Sequence, residues 1–520
     1  MKRSQRIAAA WLLLIAFSIT LHLWQLDART FHSDEAVHAK LAYDFAVLGN
    51  YRYDPTYHGP LLYFLTAFIY WILGDSDFTA RLGIALCGIG MLWIAWRIRR
   101  PFGGSAAWWA GLLVTISPLS LYYSRFLRMD MLEMLTASAA LLGLYAAFRW
   151  SDRYSDWKWV GIWGALAFAT KENAYITAFL LVVTLILVAF TFGFRSYFEM
   201  ALRAARDKKY GLAIAVGWFI ICVLLLYTVF LKYPDDWSFT VRAVRHWAYQ
   251  HATERVGGPW WYHLLPLLQY EFLILGAAAA WVFRRRQLRP VEVGLFLFGM
   301  ASLVMYAYLG EKVAWLGVHQ IWAFIPLAAA QLARTFGPRG AWWSRTLAGA
   351  GLLMTLLASL TANFVLSEIS PNMDRVESLH YVQTSPELKA IVDDIRAQSA
   401  LGEYPAAIVV GDATWPMVWY LRHDPVRWSL SGVKTRPPVV ILDPEQEQSL
   451  CGQLCSDSGY RRALVPLRSW WLPQQESPGI YGLLRYLVTR KPWIEVGTRK
   501  VLVLQRACDA RITCTLGCCR

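Results

Sequence analysis

The chain is predicted to be a polytopic α-helical membrane protein that carries a small α/β domain at its C-terminal end. Three observations lead there. Apolar residues come in blocks long enough to cross a bilayer, basic clusters separate those blocks with a consistent parity, and after Leu366 the pattern changes to short apolar runs of strand length. With 57% hydrophobic residues, 27 tryptophans and a mean hydropathy of +0.34, the 520 residues hold more apolar surface than one water-soluble core needs. The net charge of +15 does not indicate nucleic acid, because most of the excess Lys and Arg flanks apolar segments, where such residues face the cytoplasm and anionic lipid.

The first apolar block follows Met1-Lys2-Arg3 and Arg6 and reaches Trp24; it is long enough to cross and no small-x-small cleavage site follows, so it reads as a retained signal anchor. Length and basic flanks then place spans at 7–26, 78–98, 106–123, 131–148, 157–170, 174–194, 211–231, 264–283, 291–309, 321–333 and 347–366. That is about eleven crossings by the length criterion. The apolar run 61–73 is short for a crossing and is read as an interfacial or re-entrant helix, which keeps Arg97, Arg99 and Arg100 inside. The same parity keeps Arg149 with Arg153 and Lys158, Arg203 with Arg206, Lys208 and Lys209, Arg284 to Arg286, and Arg334 with Arg339 and Arg345 cytoplasmic, together with the N-terminus. A multi-pass plasma (inner) membrane protein is the implied location.

An odd number of crossings puts the tail outside. The membrane domain is expected over 1–368, with a first outer loop at 27–77, and an extracytoplasmic α/β domain over 369–520. In that tail Ser385-Pro386-Glu387 opens a helix, 406–410, 439–442, 463–465 and 501–504 read as buried strands, and helices are expected near 415–422 and 481–489. Cys87 and Cys222 fall in spans as small hydrophobes; Cys451, Cys455, Cys508, Cys514, Cys518 and Cys519 form an even set in the tail, compatible with disulfides of undetermined pairing, and no His stands at finger spacing among them.

The parity also gathers the remaining charged groups on the outer face: Asp34-Glu35, the stretch from Arg125 to Asp130, Lys171-Glu172, the 232–263 loop and Glu311-Lys312. Carboxylates and cations together suit transfer of a group from a phosphate carrier, which needs a base for the attacking hydroxyl and positive charge for the departing phosphate. Asp34 or Glu35 fits the base, and Arg125, Arg128, Lys171 and Lys312 fit the phosphate. Plainer roles compete with each. The acid pair could cap the helix that follows it, His32 and His38 beside it match no strong metal-ligand spacing, Arg125 and Arg128 could snorkel beside Tyr122, Tyr123 and Phe126, and Lys171-Glu172 and Glu311-Lys312 could simply pair. Glu271 lies inside a predicted span and is a weaker candidate.

The order of these features resembles a known family. An acidic pair after the first span, His58-Gly59-Pro60-Leu61-Leu62-Tyr63, Ala80-Arg81-Leu82, the exit Arg99-Arg100-Pro101-Phe102-Gly103, Arg125 followed five residues later by Asp130, and Thr170-Lys171-Glu172-Asn173 resemble the C-type glycosyltransferases of the protein-mannosyltransferase and lipid A aminoarabinose-transferase superfamily. Glu311 to His319 most resembles the subfamily named for association with flippase activity in archaeal glycosylation, and 414–422 looks like that subfamily's tail. The resemblance implies a mannosyltransferase-like enzyme of the cell envelope that takes a sugar from a polyprenyl-phosphate donor to an extracytoplasmic glycan, lipid or protein. It implies Asp34 as catalytic base with Glu35 in support, Arg125 and Lys312 on the carrier phosphate, Asp130 orienting Arg125, and His319 lining the donor side; His58, Arg128, Lys171, Glu172 and Glu311 complete the expected substrate-binding set. His58-Gly59-Pro60 departs from the double proline of the aminoarabinose branch. No metal ligand and no certain cofactor are assigned, a divalent metal being left open. The alternatives are a lipid-linked sugar flippase or flippase-associated factor, and a structural assembly factor whose loop residues are dispensable.

Overall fold

The computed structural model describes residues 3–151, 153–252, 257–284, 287–365, 377–380, 382–431, 437–446, 460–473, 476 and 478–506. Arg285 and Arg286 and the six tail cysteines lie outside the described residues. The chain divides into two compact units, one of Met1–Leu26 with Asp44–Val365, the other of Asp27–Tyr43 with Leu366–Arg520.

The first unit is helical. Among the described residues, eight helices are long and apolar enough to cross a membrane, and ten if each of two bent pairs counts as one span. The first bend falls where the sequence interrupts the backbone ladder. Gly104–Ile116 meets Pro118–Ser124 at 63°, where Pro118 has no N–H to continue the first helix and the Ser117 hydroxyl caps the second by accepting from the Ser120 amide at 3.1 Å. Leu264–Tyr270 meets Phe272–Arg284 at 88°, with Glu271 at the break. The two breaks are joined: the Glu271 carboxylate accepts from the Ser117 hydroxyl at 2.7 Å and from the Leu119 amide at 3.0 Å.

The stretch expected to cross at 157–170 is a 12-residue helix, Trp157–Phe168, shorter than a bilayer crossing needs. It packs closely on Lys209–Tyr227, since a Cβ on Gly161 would stand 2.1 Å from the Ala215 carbonyl oxygen. Leu61–Leu73 is a separate 13-residue helix with Phe68, Trp71 and Ile72 exposed.

Among the described residues of the second unit six strands form one sheet: β1 Val382–Thr384, β2 Ala407–Val409, β3 Val426–Arg427, β4 Val439–Leu442, β5 Tyr460–Trp470 and β6 Gly497–Arg506, in the order β1-β5-β6-β4-β2-β3. β2 runs parallel to β3 and β4 while the other pairings are antiparallel, so the sheet is mixed. Ile408, Val440, Leu442, Leu502 and Leu504 fill one side of it. The helix Glu387–Ala400 buries Leu388, Ile391, Val392 and Ile395, the i, i+3, i+4, i+7 stripe of an amphipathic helix. Every strand read from the sequence lies in or on β2, β4, β5 or β6; β1 and β3, at three and two residues, are too short to carry a period.

Candidate active site

In the first unit the charged residues assemble on Asp130, the first residue of the helix Asp130–Trp150, where the helix dipole favours a carboxylate. Its Oδ1 accepts from the Lys171 ammonium at 2.9 Å and stands 3.0 Å from His319 Nε2, and Arg128 Nε lies 3.5 Å from Oδ2. All four side chains are buried. Lys171 comes from the turn between Trp157–Phe168 and Asn173–Phe192, and His319 from the short helix Gly317–Ile321. The Arg128 guanidinium lies 3.9 Å from the Trp315 ring centre, a cation–π contact in a dry setting. The Tyr306 ring stacks on His319, and its hydroxyl accepts from Asn173 Nδ2 at 2.7 Å.

One turn along, Glu133 is buried with Oε2 3.9 Å from His319 Nε2 and neither carboxylate oxygen hydrogen-bonded. The sequence reading missed it, although an acid three residues after Asp130 on a helix shares its face.

A second pair adjoins the Lys171 turn. Gly59 donates its amide to the Thr170 carbonyl at 3.1 Å and Leu61 donates to Ala169 at 2.9 Å; a Cβ on Gly59 would stand 2.2 Å from the Ala169 oxygen, so only glycine lets these backbones meet. The approach brings His58 Nδ1 to 2.7 Å from Glu172 Oε2. His58 adopts φ +65°, a region costing a non-glycine residue about 1–3 kcal/mol, which the contact with Glu172 helps to hold. Burial opposes ionisation of Glu172, yet the charge and hydrogen bond of His58, with Lys171 behind, hold its carboxyl below the usual range.

The two cations expected on a carrier phosphate stand at helix ends. Arg125 donates from Nη1 to the carbonyls of Leu21 at 2.9 Å and His22 at 3.1 Å, and from Nη2 to Gln25 at 3.1 Å, and Arg81 adds a bond to Leu26 at 2.9 Å. These are the last carbonyls of the helix Arg3–Leu23 and the turn after it, groups that lack partners within a helix. Lys312 donates to Tyr306, Ala307 and Leu309 at 3.0, 2.7 and 2.6 Å, closing the end of Pro290–Tyr308. Burial first, and the Lys312 charge second, push the His263 imidazole down to about 3. Glu311 is exposed. In the 232–263 loop, Asp236 takes two bonds from Arg52 at 3.0 Å and one from Arg242 at 2.9 Å, a buried anchor that the sequence reading did not single out.

In the second unit the acid pair divides. It lies in the first turn of the helix Ser33–Leu48. Glu35 is buried and its Oε2 accepts from the His32 amide at 3.1 Å, while His32 Nδ1 accepts from the Asp34 amide at 3.0 Å, so an imidazole and an acid together cap the first turn. Asp34 keeps its carboxylate accessible: the side chain is 40% exposed, with Oδ1 3.8 Å from His32 Nδ1. Of the two acids, Asp34 is the one a solute can reach.

Asp130, Lys171, Arg128 and His319 therefore meet in one buried cluster, His58 and Glu172 pair next to its lysine, and Arg125 and Lys312 close helix ends. A buried carboxylate set among cations, such as Asp130, orients them, whereas a half-exposed one such as Asp34 can take a proton. Among the described residues no group of three or more His, Cys, Asp or Glu could hold a metal ion.

Residues 57–222 match the family described as dolichyl-phosphate-mannose-protein mannosyltransferase. The fold is similar to that of ArnT from Cupriavidus metallidurans bound to undecaprenyl phosphate, at 17% identity and a TM-score of 0.61, covering 95% of this chain and 97% of that one. The apo state of the same protein aligns at 0.58. The Archaeoglobus fulgidus oligosaccharyltransferase tethered to an acceptor peptide aligns at 0.52 and 12% identity, over 86% of this chain and 70% of that one. No curated protein matches the chain. Residues 57–222, under a third of the chain, match that family, and the likeness to these structures shows the fold, a polytopic helical domain with a C-terminal sheet domain.

Proposed function

We propose that this chain is an integral membrane glycosyltransferase that moves a sugar from a polyprenyl-phosphate donor to an acceptor outside the cytoplasm, in a cell-envelope membrane with its C-terminal domain on the acceptor side. Mannose is the sugar that the matched family's description suggests. The reaction is a single displacement: the acceptor hydroxyl attacks the anomeric carbon, its proton passes to Asp34, and the carbon–oxygen bond to the carrier phosphate breaks with inversion. Arg125 and Lys312 supply positive charge toward the departing phosphate. In these roles their charge acts while their N–H groups hold helix ends.

The observation that carries the reading is the division of the acid pair, with Glu35 held in the helix cap and Asp34 accessible. The likeness to a fold whose relative is described with undecaprenyl phosphate bound supports the donor class. The test is sugar release from a labelled polyprenyl-phosphate sugar by purified parent and Asp34→Asn. Loss of a general base predicts a fall of about a hundred-fold to ten-thousand-fold with folding intact; unchanged release overturns the role.

A lipid-linked sugar flippase, or a factor associated with one, is the second reading, favoured by Glu133 and Glu271, two carboxylates buried within spans. Lipid movement that proceeds equally in parent and Asp34→Asn, without sugar release in either, would decide for transport.

A further inference from the structure

The tail domain has no role in the chemistry so far, yet the stretch before the acid pair is held by side chains from that domain. Residues 27–32 form no regular element, so their backbone groups need partners from elsewhere. The Tyr420 hydroxyl accepts from the Phe31 amide at 2.8 Å, Gln383 Nε2 donates to the Thr30 carbonyl at 3.1 Å, and Lys389 Nζ donates to Ala28 and Asp27 at 3.2 and 3.3 Å. Phe31 stacks on Trp419 with centroids 5.6 Å apart and planes 12° from parallel.

A second grip lies nine residues beyond Asp34. Tyr43 meets His423 edge to face at 5.4 Å, with its hydroxyl 3.5 Å from Nδ1, and the Arg422 guanidinium stands 5.8 Å from the Tyr43 ring centre. Arg422 itself lies on Trp419 at 3.7 Å and bonds the Trp419 carbonyl at 2.7 Å. One run of five residues, Trp419 to His423, thus touches the chain before Asp34 and again beyond it.

We propose that Trp419, Tyr420 and the Arg422-His423 pair form a clamp that aims the first turn of Ser33–Leu48, making the tail domain a positioning part of the catalytic apparatus. This rests on Asp34 being the base. A helix held just before its start at Phe31 and again at Tyr43, about 15 Å along its axis from Ser33 at 1.5 Å per residue, cannot swing its first turn, and a base displaced by about 1 Å loses about a hundred-fold in rate. The clamp acts through Asp34 and touches no substrate, so it should alter turnover and leave donor affinity alone.

The experiment uses the full-length chain in lipid nanodiscs. It compares parent, Trp419→Ala, Trp419→Phe and Tyr420→Phe by amide hydrogen exchange over 27–36 and by steady-state sugar release from a labelled polyprenyl-phosphate sugar. Trp419→Ala is expected to speed exchange at 27–36 and lower kcat about ten-fold to a hundred-fold with the donor KM within two-fold. Trp419→Phe, which keeps a ring under Phe31, should restore most of both. Tyr420→Phe, which removes one hydroxyl and preserves the fold, should give a smaller change in the same direction. Unchanged exchange at 27–36 in Trp419→Ala and Tyr420→Phe overturns the clamp, as does faster exchange there with kcat unaltered. Full activity in Asp34→Asn would fail the base assignment instead, and the exchange arm still tells whether the tail holds the segment.

Discussion

The cluster on Asp130 and the acid pair at 34–35 treat charge in opposite ways. In the helical unit Asp130 is surrounded by Lys171, His319 and Arg128, all buried, and Arg125 and Lys312 are bonded to carbonyls. In the sheet unit one of two adjacent acids is closed into a cap and the other stays open to solvent. Low dielectric strengthens a paired charge and penalises an unpaired one, so burial turns charged residues into a frame. Chemistry needs a group whose proton can come and go, and the base proposed for it, Asp34, is an acid that remains accessible.

The sharpest way to break this contrast is to remove one charge from the frame. Lys171→Met leaves Asp130 buried with His319 and Arg128 but without its shortest ionic contact, 2.9 Å. A loss of about 3–5 kcal/mol is expected, because a buried charge is then left uncompensated. Adding Asp130→Asn should return much of it. Thermal unfolding of the purified singles and the double, read as a double-mutant cycle, measures the coupling. A single variant as stable as the parent would mean the cluster is wetter than its burial implies.

Lys312 sharpens the contrast on a smaller scale. Its ammonium reaches three carbonyls at the end of Pro290–Tyr308, and a lysine has three N–H donors. Lys312→Met should cost about 1–2 kcal/mol, as lost charge-assisted bonds at a helix end. If its charge also serves the departing phosphate, kcat should fall while Lys312→Gln, which keeps a donor and removes the charge, restores stability more than rate. Equal recovery of both by Lys312→Gln would confine the residue to the cap.

How much of this the sequence carried depended on range. Most apolar segments and the core strands were legible because hydrophobic period and length are local properties, whereas the span read over 106–123 bends at Pro118 and the one read over 157–170 holds a helix too short to cross. Candidate residues were legible as types, and Asp130, Lys171 and His319 do meet. Their partners were not: that Arg125 reaches the Leu21 carbonyl, or that Tyr420 accepts from the Phe31 amide across 389 positions, is decided by packing between segments with no shared pattern. Glu133 was within reach of the helical period. The pairing of His58 with Glu172 was not, since it depends on Gly59 letting two turns approach.

That pairing gives the smallest expected effect and the cleanest sign. Glu172 is held below its ordinary range by His58 and Lys171 against the opposing effect of burial. A carboxyl with a depressed folded value contributes stability that is present above its unfolded value, about 4.3, and is lost as pH falls toward the folded one. In His58→Ala the burial remains while the opposing charge and hydrogen bond are gone, so ionising Glu172 becomes unfavourable in the folded state. The variant should therefore fall furthest below the parent at neutral pH, by about 1 kcal/mol, and approach it as pH drops through about 4 and the carboxyl is protonated in both. Thermal unfolding of the two proteins from pH 7 to pH 3.5 tests this. His58→Gln, able to keep a hydrogen bond without a charge, should lie between them, and a gap that stays constant with pH would mean that the imidazole acts by its shape in the Gly59 turn and not through the acid it touches.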